Sequence, residues 1–236
     1  EGGVAAAGWT RYVFTGTPVF ASDSAVAHSG DRSVRIGAAA AARGTVYQQV
    51  AVTAGKTYRI SGWMKTENVS NKALVRFQVP RTSGGALLVN FAEAKGTTDW
   101  TRFETTVAIP SDATLPATIK VEAFLENSTG TVWFDDFAIE EWVAVQGISV
   151  TPSVLSLQVG ETASLTAELT PPEASNRTVT WSSSDASVAT VDAEGNVAAK
   201  ANGFTVITAA AAEGGFADTA VVSVGAPPAL SVSPFD

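Results

Sequence analysis

The feature that most constrains this chain is a period of two. Apolar and polar residues alternate through 57–65 (TYRISGWMK), 74–79 (LVRFQV), 101–109 (TRFETTVAI), 118–125 (TIKVEAFL) and 131–139 (TVWFDDFAI). That is the pattern of strands buried on one face. Turn-forming clusters separate these runs at 53–56 (TAGK), 83–85 (SGG), 110–112 (PSD) and 127–130 (NSTG). Shorter runs at 148–150, 154–159, 163–169, 179–182, 188–191, 197–199, 204–209 and 217–224 continue the theme. No stretch keeps a helical period over ~11 residues. The five alanines at 38–42 are too few for a stable helix alone and are expected in a loop or short turn. The expected class is all-β, built as two β-sandwiches in series.

Charge divides the chain. Residues 1–143 hold 13 of the 15 Lys+Arg and 14 of the 23 Asp+Glu, while residues 144–236 hold 2 and 9. The leading module is therefore near neutral, and the second is strongly acidic and almost without cations. The expected domains are 1–143, 144–226, and a stretch at 227–236 that begins a following domain. There, the prolines of 226–229 (APPA) read as a stiff linker and 230–234 (LSVSP) as the start of a strand. With no cysteine, thiol chemistry and cysteine zinc sites are excluded. With one histidine, two-histidine metal sites are excluded, and a Ser-His-Asp triad would need His28. A net charge of −8 argues against a nucleic-acid partner. No apolar run approaches the ~18 residues of a membrane helix, so no membrane partner is expected either. A monomer is expected.

Residues 147–224 resemble the bacterial immunoglobulin-like group 2 domain. The resemblance rests on Ile148-Ser149-Val150-Thr151-Pro152, Gly160-Glu161-Thr162, Val179-Thr180-Trp181-Ser182-Ser183-Ser184-Asp185, Val188-Ala189-Thr190-Val191-Asp192 and Gly203-Phe204-Thr205-Val206-Ile207-Thr208. It implies an immunoglobulin-like sandwich acting as a spacer. Trp181, the one large aromatic among small polar residues, reads as a core anchor. Asp185 and Asp192 read as turn carboxylates rather than a catalytic pair.

Residues 9–141 resemble carbohydrate-binding modules of the galactose-binding-like jelly-roll type. The carrying residues are Gly8-Trp9, the segment from Ala27-His28-Ser29-Gly30-Asp31 to Ile36, Tyr47-Gln48-Gln49-Val50, Tyr58-Arg59-Ile60-Ser61-Gly62-Trp63, Trp100-Thr101-Arg102-Phe103 and Val132-Trp133-Phe134-Asp135-Asp136-Phe137. The resemblance implies a polysaccharide partner and a jelly-roll β-sandwich. Strand parity gives an independent reading. With Val75, Phe77, Val79, Val121, Ala123 and Leu125 turned inward, the outward set is Arg59, Trp63, Arg76, Gln78, Lys120, Glu122 and Phe124. Aromatic faces cover the C–H faces of sugars, and planar polar groups satisfy hydroxyls. These seven residues are the expected glycan site, and the loop aromatics Tyr12, Phe14 and Phe20 are a second candidate. Trp9, Trp100 and Trp133 are expected to pack structurally. The cations Arg59, Lys65, Arg76, Arg102 and Lys120 make an anionic polysaccharide a candidate beside a neutral β-glucan or xylan.

The resemblance also implies one structural calcium ion, mapped onto the Ser29-Gly30-Asp31-Arg32-Ser33 loop and the Asp135-Asp136 pair. Parity places Asp135 with inward-facing Phe137 and Ile139, so Asp135 is the leading ligand, with Asp31, Ser33 and Gly30 as partners. Catalysis is not expected. Glu122 and Glu126 lie roughly 13 Å apart along one strand, too far for a glycosidase pair, whereas Glu104 and Glu122 stay open as a pair. The chain reads as a binding fragment of a larger secreted bacterial polysaccharide-degrading enzyme. The alternative is a cell-surface adhesion or surface-layer protein.

Overall fold

A computed structural model describes residues 8–225. The opening Glu1-Gly2-Gly3, the linker expected at 226–229 and the strand expected at 230–234 lie outside the described residues. Every regular element described is a strand. The chain forms two compact units, Glu1–Trp142 and Val143–Asp236.

The first unit is a jelly-roll sandwich made from β1 (Thr10–Thr15), β2 (Val19–Asp23), β3 (Ser33–Ala51), β4 (Thr57–Pro80), β5 (Ala86–Ala108) and β6 (Thr118–Glu141). Four of these strands run to about twenty residues because each one serves both sheets. Their register breaks in the middle, between Ala38 and Gly44 in β3 and between Met64 and Ala73 in β4. On one side of the break β2, β3, β6, β4 and β5 lie side by side and form sheet I. On the other side β1 replaces β2 at the edge, giving sheet II. The polyalanine stretch at 38–42 is therefore not a loop. It is the crossover of β3, where small side chains let the strand fold from one sheet to the next.

One core fills the sandwich. Ile36, Ile60, Met64, Phe103 and Phe134 enter it from sheet I, and Val46, Val75, Phe77, Val121 and Leu125 from sheet II. Burying about ten such side chains at ~1.5–3 kcal/mol each is the main force holding the unit together. The residues alternating with each set point away from the core, so the two outer faces look in opposite directions.

The second unit comprises β7 (Gly147–Thr151), β8 (Val154–Leu157), β9 (Thr162–Ser164), β10 (Thr166–Thr170), β11 (Val179–Ser183), β12 (Ala189–Val191), β13 (Asn196–Ala199), β14 (Gly203–Ala211) and β15 (Ala217–Val224). The order β11-β14-β15-β8 makes one sheet and β12-β13-β9 another, with β10-β7 a separate pair. Leu157, Leu165, Val197, Ile207 and Val222 form its core, and Trp181 packs against them. Asp192 accepts hydrogen bonds from the backbone N–H groups of Glu194 and Asn196 across the β12–β13 turn. Asp185 accepts from the N–H and hydroxyl of Ser187. Both carboxylates serve turns.

The crossover of β6 depends on Gly130, whose φ is 98°. A Cβ there would run into the Asn68 carbonyl of β4. Gly130→Ala is expected to cost about 2–4 kcal/mol through strain and backbone clash. Chemical unfolding measures it, and a variant as stable as the parent would show that this corner is slack.

Candidate carbohydrate-binding face

The seven residues expected to share one face are split by the crossover. Arg59 and Trp63 belong to the sheet I half of β4. Arg76, Gln78, Lys120, Glu122 and Phe124 belong to sheet II. The two groups lie on opposite outer faces of the sandwich. The same division places Glu104 on sheet I, hydrogen-bonded to Arg102, and Glu122 on sheet II. They do not face a common cleft.

On sheet II, register sets the groups in rows. One row runs Asn90, Arg76, Glu122, Tyr47 and Thr10 across β5, β4, β6, β3 and β1. A second carries Leu88, Gln78, Lys120 and Gln49, and a third carries Leu74, Phe124, Thr45 and Tyr12. Glu122 sits at the centre and is only 1% exposed, contrary to the outward, solvent-facing place expected for it. Arg76 Nε donates to its Oε2 at 2.6 Å, and Lys120 Nζ lies 2.8 Å from its Oε1. Burial alone would raise its pKa. The two cations outweigh that and hold it below the ordinary carboxylate range.

Phe124 is likewise fully buried rather than exposed. The Arg76 guanidinium lies 4.3 Å from its ring centre, and the Phe14 ring stacks at 5.9 Å. Parity gave the right side of the sheet. It did not reveal that longer neighbours roof the shorter ring. What stays open to solvent lies beside it: Tyr12 is 55% exposed and Phe14 40%, edge to face at 4.7 Å. These two are not loop residues. They lie on β1, and a register shift between Val13 and Thr15 lets Phe14 settle over Phe124 and under Arg43. Phe20, expected with them, is a core residue of β2. Tyr47, which parity had not singled out, lies under the Lys120 ammonium at 4.0 Å. Its signal was available in the alternation of 45–50 had that segment been read as a strand.

The sheet I group is closed over. The His28 ring stacks on Trp63 at 3.9 Å and 17°, with Trp100 edge-on to His28 at 5.7 Å. Arg59 Nε donates to Glu140 at 2.8 Å while its guanidinium covers Trp142. Trp133 is buried and its indole N–H donates to Asp23 at 2.9 Å, and Trp9 packs on Phe137 at 4.9 Å.

The expected metal ligands meet in part. Between Ala138 and Asp135, β6 carries one residue more than the facing stretch of β4 from Ser61 to Trp63. Asp136, at φ 50°, is the inserted residue. This bulge reverses parity, so Asp135 lies opposite Trp63 on the outer face and not inward with Phe137. Its Oδ2 accepts the His28 N–H at 2.8 Å and its Oδ1 the Asp136 N–H at 2.9 Å. Ser33 Oγ donates to the Val26 carbonyl at 2.5 Å, Gly30 forms the turn at φ 58°, and Asp31 is exposed. No group of three or more His, Asp or Glu side chains among the described residues is placed to share a metal ion. A calcium ion asks for six to eight oxygen ligands, backbone carbonyls among them, whereas the hydrogen bonds here already answer the charge of Asp135.

An open sheet face of paired cations, amides and exposed rings meets the sequence comparison here. Residues 2–139 match the family model described as BppA domain 1, within the CBM_4_9 carbohydrate-binding group. The chain belongs to this family. Residues 144–222 match the bacterial Ig-like domain (group 2), so the carbohydrate-binding module is followed by an immunoglobulin-like one. A stretch of 83 residues is 41% identical to an Ig-like virion protein of Serratia phage KSP90, covering 35% of this chain and 32% of that protein. Another of 79 residues is 46% identical to a lacto-N-biosidase of Bifidobacterium bifidum, covering 34% of this chain and 7% of that protein. The chain thus spans a third or less of these relatives. Among solved structures, the C-terminal family 22 carbohydrate binding module of Clostridium thermocellum Xyn10B is 19% identical at a TM-score of 0.45, covering 57% of this chain and 86% of that one.

The depressed pKa of Glu122 in the carbohydrate-binding module gives a signed expectation. Its ionic contribution to stability is complete above the unfolded value of about 4.3 and is lost as pH falls through the lower folded value. Glu122→Gln is expected to destabilise by about 2–3 kcal/mol at neutral pH. The stability gap between parent and variant should narrow as pH falls below about 4.3 and close only below the depressed folded value, and a gap independent of pH would contradict the ionic role.

Proposed function

We propose that the outer face of sheet II binds a neutral polysaccharide, of the β-glucan or xylan kind, without catalysis. The observation that carries this reading is the pairing of Tyr12 and Phe14, exposed at one edge, with a centre of polar groups already fixed around Glu122. Exposed rings offer stacking surface to pyranose C–H faces. Arg76, Lys120 and Gln78 offer donors to hydroxyls.

Charge favours the neutral ligand over the anionic one. The five cations that suggested an anion meet four carboxylates within the module. Arg59 pairs with Glu140, Lys65 with Asp99, Arg102 with Glu104, and Arg76 and Lys120 both with Glu122. A uronate would have to compete with these carboxylates.

In this reading the chain targets a larger secreted bacterial polysaccharide-degrading enzyme, with the immunoglobulin-like module as spacer. The lacto-N-biosidase and an alpha-L-arabinofuranosidase of Bifidobacterium longum with a similar stretch support that context. The virion relative favours a second reading, a surface protein that adheres to glycans.

Affinity electrophoresis against soluble β-glucan, xylan and a polyuronate tests the site and the ligand. Tyr12→Ala combined with Phe14→Ala is expected to weaken binding about tenfold or more, while Trp63→Ala keeps it. Affinity should change by less than about twofold between low and high salt. Loss in the Trp63 variant alone would move the site to sheet I, and a steep salt dependence would restore the anionic ligand.

A further inference from the structure

We propose that the His28–Ser29 segment is a metal-independent latch, in which hydrogen-bond donors hold Asp135 and Asp136 where a calcium ion is implied by the family resemblance.

The two carboxylates receive five donors. Asp135 Oδ2 accepts the N–H groups of His28 at 2.8 Å and Ser29 at 3.4 Å, and its Oδ1 accepts the Asp136 N–H at 2.9 Å. Asp136 Oδ1 accepts the Ser29 hydroxyl at 2.5 Å, and its Oδ2 the His28 Nδ1–H at 2.6 Å. Every carboxylate oxygen of the pair thus faces a hydrogen. Together these donors answer the negative charge of both carboxylates from within the chain, so neither needs a cation to offset it. Bonds to ionised carboxylates are among the stronger ones, and two consecutive residues of one loop make four of the five.

The latch has a second consequence on sheet I. Anchoring His28 at both backbone and ring sets its imidazole flat on Trp63. The indole face that would have served a sugar is held shut by the same contacts.

Thermal unfolding of the full chain tests this in chelator and in millimolar calcium, with terbium luminescence as a direct probe of the site. Trp63 and Trp100, close by, would sensitise a bound terbium ion. The midpoint is expected to move by less than about 1 °C between chelator and calcium, and no saturable terbium emission should appear. Ser29→Ala should lower the midpoint by about 3–6 °C in either condition. His28→Ala should make tryptophan emission more readily quenched by acrylamide. A drop of several degrees on chelation, or stoichiometric terbium emission, would overturn the proposal. So would a Ser29→Ala midpoint equal to the parent's. None of these readouts depends on sugar binding, so the result stands apart from the glycan assignment.

Discussion

The leading module depends on one constraint: the same four strands build both of its sheets around a single apolar core. A strand that serves two sheets must bend in its middle, and the bend needs small or left-handed residues. The alanines of β3, Asn68 in β4 and Gly130 in β6 meet that need. Once the strands have crossed, residues close in sequence stand on faces that look apart. Arg59 and Arg76 share β4 yet serve different surfaces. The separation of a closed aromatic face on sheet I from an open polar and aromatic face on sheet II follows from this geometry.

Polar groups then complete what the core begins. Glu122 is buried on what alternation alone marks as an outer position. It persists there because two cations converge on it, since a buried carboxylate without partners would cost several kcal/mol. The guanidinium of Arg76 and the ring of Phe14 in turn cover Phe124. The centre of sheet II's outer face is thus a packed second layer, with Tyr12 and Phe14 open to solvent beside it.

Much of this was legible from the sequence, and the exceptions share a cause. In the leading module alternation identified parts of β4, β5 and β6 and the inward set Val75, Phe77, Val79, Val121, Ala123 and Leu125 correctly, while β1, β2 and β3 went unread as strands. It failed wherever parity was carried across an irregularity. Trp63 and Arg76 were joined across the β4 crossover, and Asp135 was aligned with Phe137 across the Asp136 bulge. A bulge inserts one residue and reverses every side chain beyond it, and nothing in Asp135-Asp136 announces it. Tyr12 and Phe14 look like loop residues because the run 10–15 is short and lacks alternation. Their strand character comes from pairing with β3, a long-range contact. Burial of Phe124 was invisible for a similar reason, since the groups covering it come from distant segments.

The Glu122 clamp bears on how a ligand would be received. Arg76 and Lys120 are long side chains that ordinarily surrender about 2 kcal/mol of rotamer freedom each when they are fixed. Here that loss accompanies folding, because the buried carboxylate already restrains both. A polysaccharide settling on sheet II would meet donors that are oriented in advance. Selectivity there would arise from whether the spacing of its hydroxyls suits a rigid template, not from side chains adjusting to the guest.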